Sequence, residues 1–203
     1  ILETAAQMVV SQGAFPLPLD VLAERLRISK ALIYTYFSTQ YDLGNALLQL
    51  RLDALALQDL DAAMALADWR AAATACVDIY YHETATNGPL LHVLLSDPYL
   101  ARRCAPELLA RYRRIIGRLA RRIRAIAGLP SAEAVSALTI IVAIAEEAGT
   151  LANSGRLDFE FAREIARSMT IGAIENLCEP IPPSPATDDR RAPAAPSARH
   201  PSS

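Results

Sequence analysis

The feature that most constrains this chain is the spacing of its apolar residues. They keep a helical period almost to residue 178 and nowhere alternate as in a strand. Leu2, Ala5, Ala6, Val9 and Val10 recur at that period, as do Leu43, Leu47, Leu50 and Leu57. The chain has 203 residues, 52% hydrophobic but only 6% aromatic, so Ala, Leu, Ile and Val must fill the core. Ala and Leu lose little on entering a helix. The expected fold class is therefore all-α, and a chain of this length can bury a sizeable core without metals or disulfides. Cys76, Cys104 and Cys178 are odd in number and far apart, which argues against a disulfide framework or structural zinc. It argues for a reducing compartment, so a cytoplasmic location is expected. The longest apolar stretch, Leu138 to Ala145, is far short of the ~20 residues needed to cross a bilayer. No signal peptide is visible either, so no membrane partner is expected. The chain opens at Ile1, already inside a helical pattern and without Met, and a short preceding segment is expected.

Punctuating residues divide the pattern. A first helix ends at Gly13, and Phe15-Pro16-Leu17-Pro18 is a stiff connector. Asp20 to Leu26 is a second helix, with Val21, Leu22 and Leu26 on one face. Arg27-Ile28 makes a turn, and Ser29 is an N-cap for a third helix to about Tyr36. From about Gln40 a long helix is expected to run towards Asp61. Further helices are expected from Asp68 to about Ala85, Pro89 to Leu95, and Pro106 to Ala127. Ser131 is expected to cap a helix to Asn153, and Asp158 one to about Cys178. Residues 1–45 read as one domain, 46–178 as a second, and the Pro/Ala/Ser-rich stretch 179–203 as a disordered tail.

Three short helices before a long one, with a tight turn between the second and third, are the pattern of a helix-turn-helix. There the second helix of the pair lies in the DNA major groove. That helix would be Ser29 to Tyr36, anchored through Ile28, Leu32, Ile33 and Phe37. By spacing alone, Tyr34, Tyr36 and Phe37 are equally compatible with core aromatics of a bundle. With a net charge of -2 the molecule is no generic polycation, so DNA binding has to come from a local constellation.

The stretch "ILETAAQMVVSQGAF…LDVLAERLRISKALIYTYFSTQYDL" resembles the N-terminal domain of the tetracycline-repressor (TetR) family over residues 1 to about 48. That family has two apolar helices, then Gly-Val-Ser-Lys, Leu-Tyr-x-Tyr-Phe, a small residue and Lys-Glu-x-Leu. The resemblance implies that Ser29, Lys30 and Ala31 contact bases and nearby phosphates. It places Tyr34 and Tyr36 on the DNA backbone and Thr35 towards the groove. Arg27 stands where the family usually has Gly. Gln40 stands where a Lys usually holds a phosphate, which loses one charge contact. Residues 1–50 carry Arg25, Arg27 and Lys30 against Glu3, Asp20, Glu24 and Asp42, a poor electrostatic footprint.

The resemblance also implies a ligand cavity among the middle helices and a homodimer through the last two long ones. The stripe Trp69, Ala73, Cys76, Tyr80 is suited to line such a pocket, and equally suited to ordinary core packing. Tyr112 and His92 are further candidates for the pocket. His82 reads as solvent-facing. Glu146 and Glu147 are either both exposed, or one turns inward and needs an Arg, a Tyr or a cationic ligand. Met169 and Ile165 are candidates for the partner-facing side of the last helix. The helix Pro106 to Ala127 has an apolar stripe, Leu108, Tyr112, Ile115, Leu119, Ile123 and Ile126, opposite many arginines. Those arginines are expected to form a solvated face, partly neutralised by Asp158, Glu160 and Glu164. No metal-ligand spacing, phosphate loop or nucleophile arrangement is found, so no cofactor, metal or catalytic residue is expected and the chain reads as a non-enzyme.

The sequence thus points to a DNA-binding transcriptional regulator on a palindromic operator, a repressor released by a small-molecule effector. The alternative is a ligand-independent helical scaffold or partner-binding module with a degenerate DNA-binding domain.

Overall fold

A computed structural model describes residues 1–179. The tail expected over 179–203 lies, apart from Glu179, outside the described residues. Among those residues there are eleven helices and no strand. They are α1 (Leu2–Gln12), α2 (Leu19–Leu26), α3 (Lys30–Tyr36), α4 (Gln40–Leu57), α5 (Leu60–Ala65), α6 (Trp69–Asn87), α7 (Leu90–Ser96), α8 (Pro98–Ala101), α9 (Pro106–Ala127), α10 (Ser131–Asn153) and α11 (Phe159–Leu177). The chain is all-α.

Local chemistry sets most of the boundaries. Gly13 ends α1 in the left-handed region, where a missing Cβ removes the steric penalty. Ser29 Oγ accepts from the Leu32 N–H at 3.2 Å to open α3. Thr39 and Asp42 form a reciprocal capping box at the start of α4. Asp68 caps α6 and Asp158 caps α11.

Two expectations about helix ends and one about a buried face are corrected. The helix from Gln40 stops at Leu57, and Asp59 takes a left-handed conformation that redirects the chain into the separate α5. Gln58-Asp59 carries no Gly or Pro, so the break had no punctuation. Ser131 is the first residue of α10 rather than its cap; Pro130 holds the cap position without a side-chain hydrogen bond. Val21 is exposed rather than on the buried face of α2.

The largest buried cluster runs from Ala5 and Met8 of α1 through Leu22, Ile33, Leu43 and Leu47 to Leu90 and Leu100. The first three helices therefore share a core with α4, α7 and α8. A second cluster joins α6 to α10 and α11 through Val77, Tyr81, Ala145, Ala148 and Ala162. A third joins α9, α10 and α11 through Ile123, Leu138 and Ile174.

α10 is long and apolar enough to cross a membrane by length and composition, which the search for an unbroken apolar run missed. Its inner residues Ala134, Leu138, Ile141, Ala145 and Ala148 are buried. They face α6, α9 and α11, as in the core helix of a bundle.

The helices α6 and α10 come close together at Gly149. A Cβ there would stand 2.7 Å from Thr84 Cβ and 3.0 Å from the Ala85 backbone nitrogen. Overpacking of this kind costs ~1–3 kcal/mol, against roughly 1 kcal/mol gained by replacing Gly with Ala in a helix. Gly149→Ala is therefore expected to lower the melting temperature; a rise would show that the two helices separate without cost.

Candidate functional site

The first candidate surface is α3. Ile33 is its only buried residue. Ile28 and Phe37 are half-buried against the main core and flank it. Leu32, expected as a fourth anchor, is 40% exposed, because its position on the seven-residue helix turns away from α1 and α2. Tyr34 is 45% exposed and Tyr36 67%, so neither is a core aromatic. Ser29, Lys30, Ala31 and Thr35 are exposed on the same short helix or its cap. The Thr35 hydroxyl donates to the Ala31 carbonyl at 3.1 Å.

Two details bear on the charges. Lys30 Nζ lies 2.9 Å from Asp20, and that hydrogen bond raises its pKa above the usual lysine value. Gln40 Nε2 donates to the Leu17 carbonyl at 2.5 Å, and its amide oxygen is buried without a partner. Gln40 thus fastens the start of α4 to the α1–α2 connector. Arg27 adopts φ 55°, and its N–H closes the end of α2 on Ala23 and Glu24. That left-handed conformation is the one a glycine adopts freely and other residues rarely do.

The second candidate site is a partly open cavity of about 490 Å³ lined by α4, α5, α6, α7, α9, α10 and α11. Trp69, Cys76, Tyr80, His92, Tyr112 and Glu146 all line it. Ligand pockets commonly span ~300–1,000 Å³ with mostly apolar walls. One wall carries a polar cluster. Tyr80 Oη donates to Glu146 Oε2 at 2.6 Å, and His92 Nδ1 lies 3.0 Å from Glu146 Oε1. Burial, with Glu146 beside it, holds the Tyr80 hydroxyl far above the usual phenol range. Burial also raises Tyr112. Burial pushes the Cys76 thiol up to about 11, so it is a neutral, apolar part of the wall rather than a nucleophile. Glu147 is exposed, so of the adjacent pair Glu146 turns inward and takes a tyrosine as partner.

Several lining residues carried no sequence signal. Arg122 lines the cavity while its Nη1 donates to the Met64 carbonyl at 3.0 Å and its Nη2 to the Leu66 carbonyl. Thr170 also lines it, with a buried hydroxyl that has no partner. Both depend on how distant segments meet. Beside the cavity Arg51 of α4 and Glu83 of α6 form a buried ion pair at 3.2 Å. Arg51 continues the stripe Leu43, Leu47, and Glu83 continues Cys76, Tyr80, so their inward positions were visible in the spacing.

The arginines of α9 meet different partners from those expected. Arg111 pairs with Asp53 at 2.5 Å and Arg118 with Asp61. Glu160 and Glu164 instead pair with Arg163 and Arg167 of their own helix, and Asp158 caps it. The reason is topological: α9 lies along α4 and α5, so their acids are the nearer ones. Arg113, Arg114, Arg121 and Arg124 are exposed, with no ion-pair partner among the described residues.

On α10 and α11, Ile140, Phe161 and Met169 are 68%, 58% and 55% exposed. His82 is exposed, as expected. No group of His, Cys, Asp and Glu among the described residues is arranged to hold a metal ion. No family model matches the chain, and no curated protein is significantly similar to it.

Proposed function

We propose that this chain is a sequence-specific DNA-binding transcriptional regulator resembling the TetR family. In this reading it is a homodimeric cytoplasmic repressor that a small molecule releases from a palindromic operator. The observation that carries the reading is α3. A helix held by one buried side chain, presenting Lys30, Ala31, Tyr34, Thr35 and Tyr36 to solvent, is built to be read against another surface. As the second helix of a helix-turn-helix it lies in the major groove, with its N-terminal residues at the base edges. Its positive N-terminal end favours phosphates, and Tyr34 and Tyr36 are placed for the backbone. Gln40 drops out of the interface, because its amide is held by Leu17.

The cavity supplies the sensor in this reading. α4 starts just after α3 and contributes Leu52 and Leu55 to the cavity wall, so one rigid element touches both sites. A ligand acts only through its preference for one arrangement of the two reading helices over another.

The test is a mobility shift on the DNA upstream of the chain's own gene, with Lys30→Ala beside the parent. Each phosphate contact contributes ~0.9 to the slope of log K against log salt. Lys30→Ala is expected to weaken binding and to reduce that slope by about one contact's worth. Unchanged affinity across the salt titration would falsify the placement of α3 on DNA. A second reading, a helical scaffold with a degenerate DNA-binding domain, is favoured by the Lys30–Asp20 pair and by the half-buried Gln40 tied to Leu17. It expects no shift of any DNA at physiological salt.

A further inference from the structure

The cavity differs in chemistry along its length. Trp69 and Tyr80, both lining it, are eleven positions apart on α6. At 1.5 Å rise per residue that separates them by about 16 Å. The polar groups Tyr80, His92, Tyr112 and Glu146 gather at one end. Ser96 joins them, its Oγ 3.4 Å from His92 Nε2. Between that end and Trp69 the wall is Ala73, Cys76, Ile115, Leu119, Ile141 and Val142. An occupant that fills this space is long, apolar over most of its length, and polar at one end.

The sign of that polar end follows from where the acid and the arginine of the lining, Glu146 and Arg122, stand. The Arg122 guanidinium directs Nη1 and Nη2 to the Met64 and Leu66 carbonyls, so those donors are already engaged by the chain. The guanidinium keeps its charge and three further N–H donors, but it stands ten positions from Tyr112 on α9, about 15 Å by helix rise, so it lies away from the polar end. Glu146 is mostly buried, and its hydroxyl partner Tyr80 is a neutral donor. A carboxylate has about four acceptor positions, and Tyr80 and His92 occupy two of them. A carboxylate on a largely apolar wall is stabilised by a cation that can donate into the remaining positions. His92 is exposed on the short α7.

From this arrangement we infer that the cavity takes an elongated apolar amine, its protonated nitrogen donating to Glu146 and its hydrocarbon body lying along the wall towards Trp69. The inference rests on the sensor reading of the cavity given above and names the chemical class of its ligand.

Trp69 is the only tryptophan in the chain, so intrinsic fluorescence reports on the cavity. The experiment titrates the full chain with decylamine, decanol and decanoate at pH 7, where the amine is charged and the acid ionised. The three share one hydrocarbon body and differ only in the head. Decylamine is expected to bind at least about tenfold tighter than decanol, as for a hydrogen bond to a charged group, and decanoate is expected to bind weakest. Glu146→Gln keeps the side-chain shape, and it should bring decylamine down to the level of decanol while leaving decanol unchanged. Should decanoate match or exceed decylamine in the unmodified protein, the amine assignment is overturned and the cavity remains a ligand site. The same holds if Glu146→Gln binds decylamine as tightly as the parent. If none of the three changes Trp69 emission or raises the melting temperature, the sensor reading fails and the amine inference falls with it.

Discussion

Glu83→Ala is expected to destabilise the fold by ~3–5 kcal/mol, the range for removing one partner of a buried ion pair. Glu83 is 4% exposed and Arg51 is 7% exposed, so the variant would leave a guanidinium desolvated and unpaired. The Nε of Arg51 is already buried without a hydrogen bond, so the site holds no spare acceptor to take over. Domains of this kind are stable by only ~5–15 kcal/mol, and the variant should melt close to physiological temperature. A double replacement, Arg51→Met with Glu83→Leu, is expected to recover most of the loss. Removing both charges also removes the desolvation cost that offsets their attraction. Urea titrations of the parent, the single variant and the double variant decide it. A single variant within about 1 kcal/mol of the parent, the range for exposed pairs, would show that water reaches the pair.

That pair also shows where sequence reasoning stops. The spacing of Leu43, Leu47 and Arg51 puts an arginine on the buried stripe of α4, and Tyr80 and Glu83 share a face of α6. Both facts are local and legible. That the two stripes face each other is a property of packing, and nothing in either segment names its partner. The six expected cavity residues lie on the inner faces of amphipathic helices and so meet in one cavity once those helices form a bundle. Thr170 and Arg122 join them only because α11 and α9 lie where they do. Helix starts and stops were legible where a side chain or a glycine does the capping, as at Gly13, Ser29 and Asp158. They were not legible at Gln58-Asp59, where Asp59 takes the left-handed conformation that aspartate tolerates but does not require, inside an otherwise unbroken helical pattern. The α9 arginines show the same limit. Their charge and face were visible, but their partners Asp53 and Asp61 sit on α4 and α5 rather than on α11.

The remaining large effect is expected at the outer faces of α10 and α11. Ile140, Phe161, Met169 and Val135 are exposed there, while the opposite faces of the same helices are buried in the core. Large exposed apolar groups on the outer faces of two long helices are candidates for a surface that a partner covers. A second copy is the occupant that a two-fold DNA-binding regulator requires, because each copy supplies one reading helix to one half-site. Met169 is a cleaner probe than Ile165, which is half-buried and also serves the subunit's own packing. Replacing Met169 and Ile140 together with Glu puts two like charges on each side of a two-fold contact, four in one apolar interface. Monomers are expected by sedimentation, with unchanged helical content. Operator affinity should fall by about 10²–10⁴-fold, the avidity lost when two half-sites no longer engage together. The single Met169→Glu variant should fall between the two and recover dimers at higher protein concentration. A double variant that still sediments as a dimer would move the contact to another face. A parent protein that is monomeric at micromolar concentration would remove the two-fold arrangement, and with it the expectation of a palindromic operator. Because neither Met169 nor Ile140 lines the cavity, decylamine binding should survive their replacement, which separates loss of the dimer from loss of the sensor.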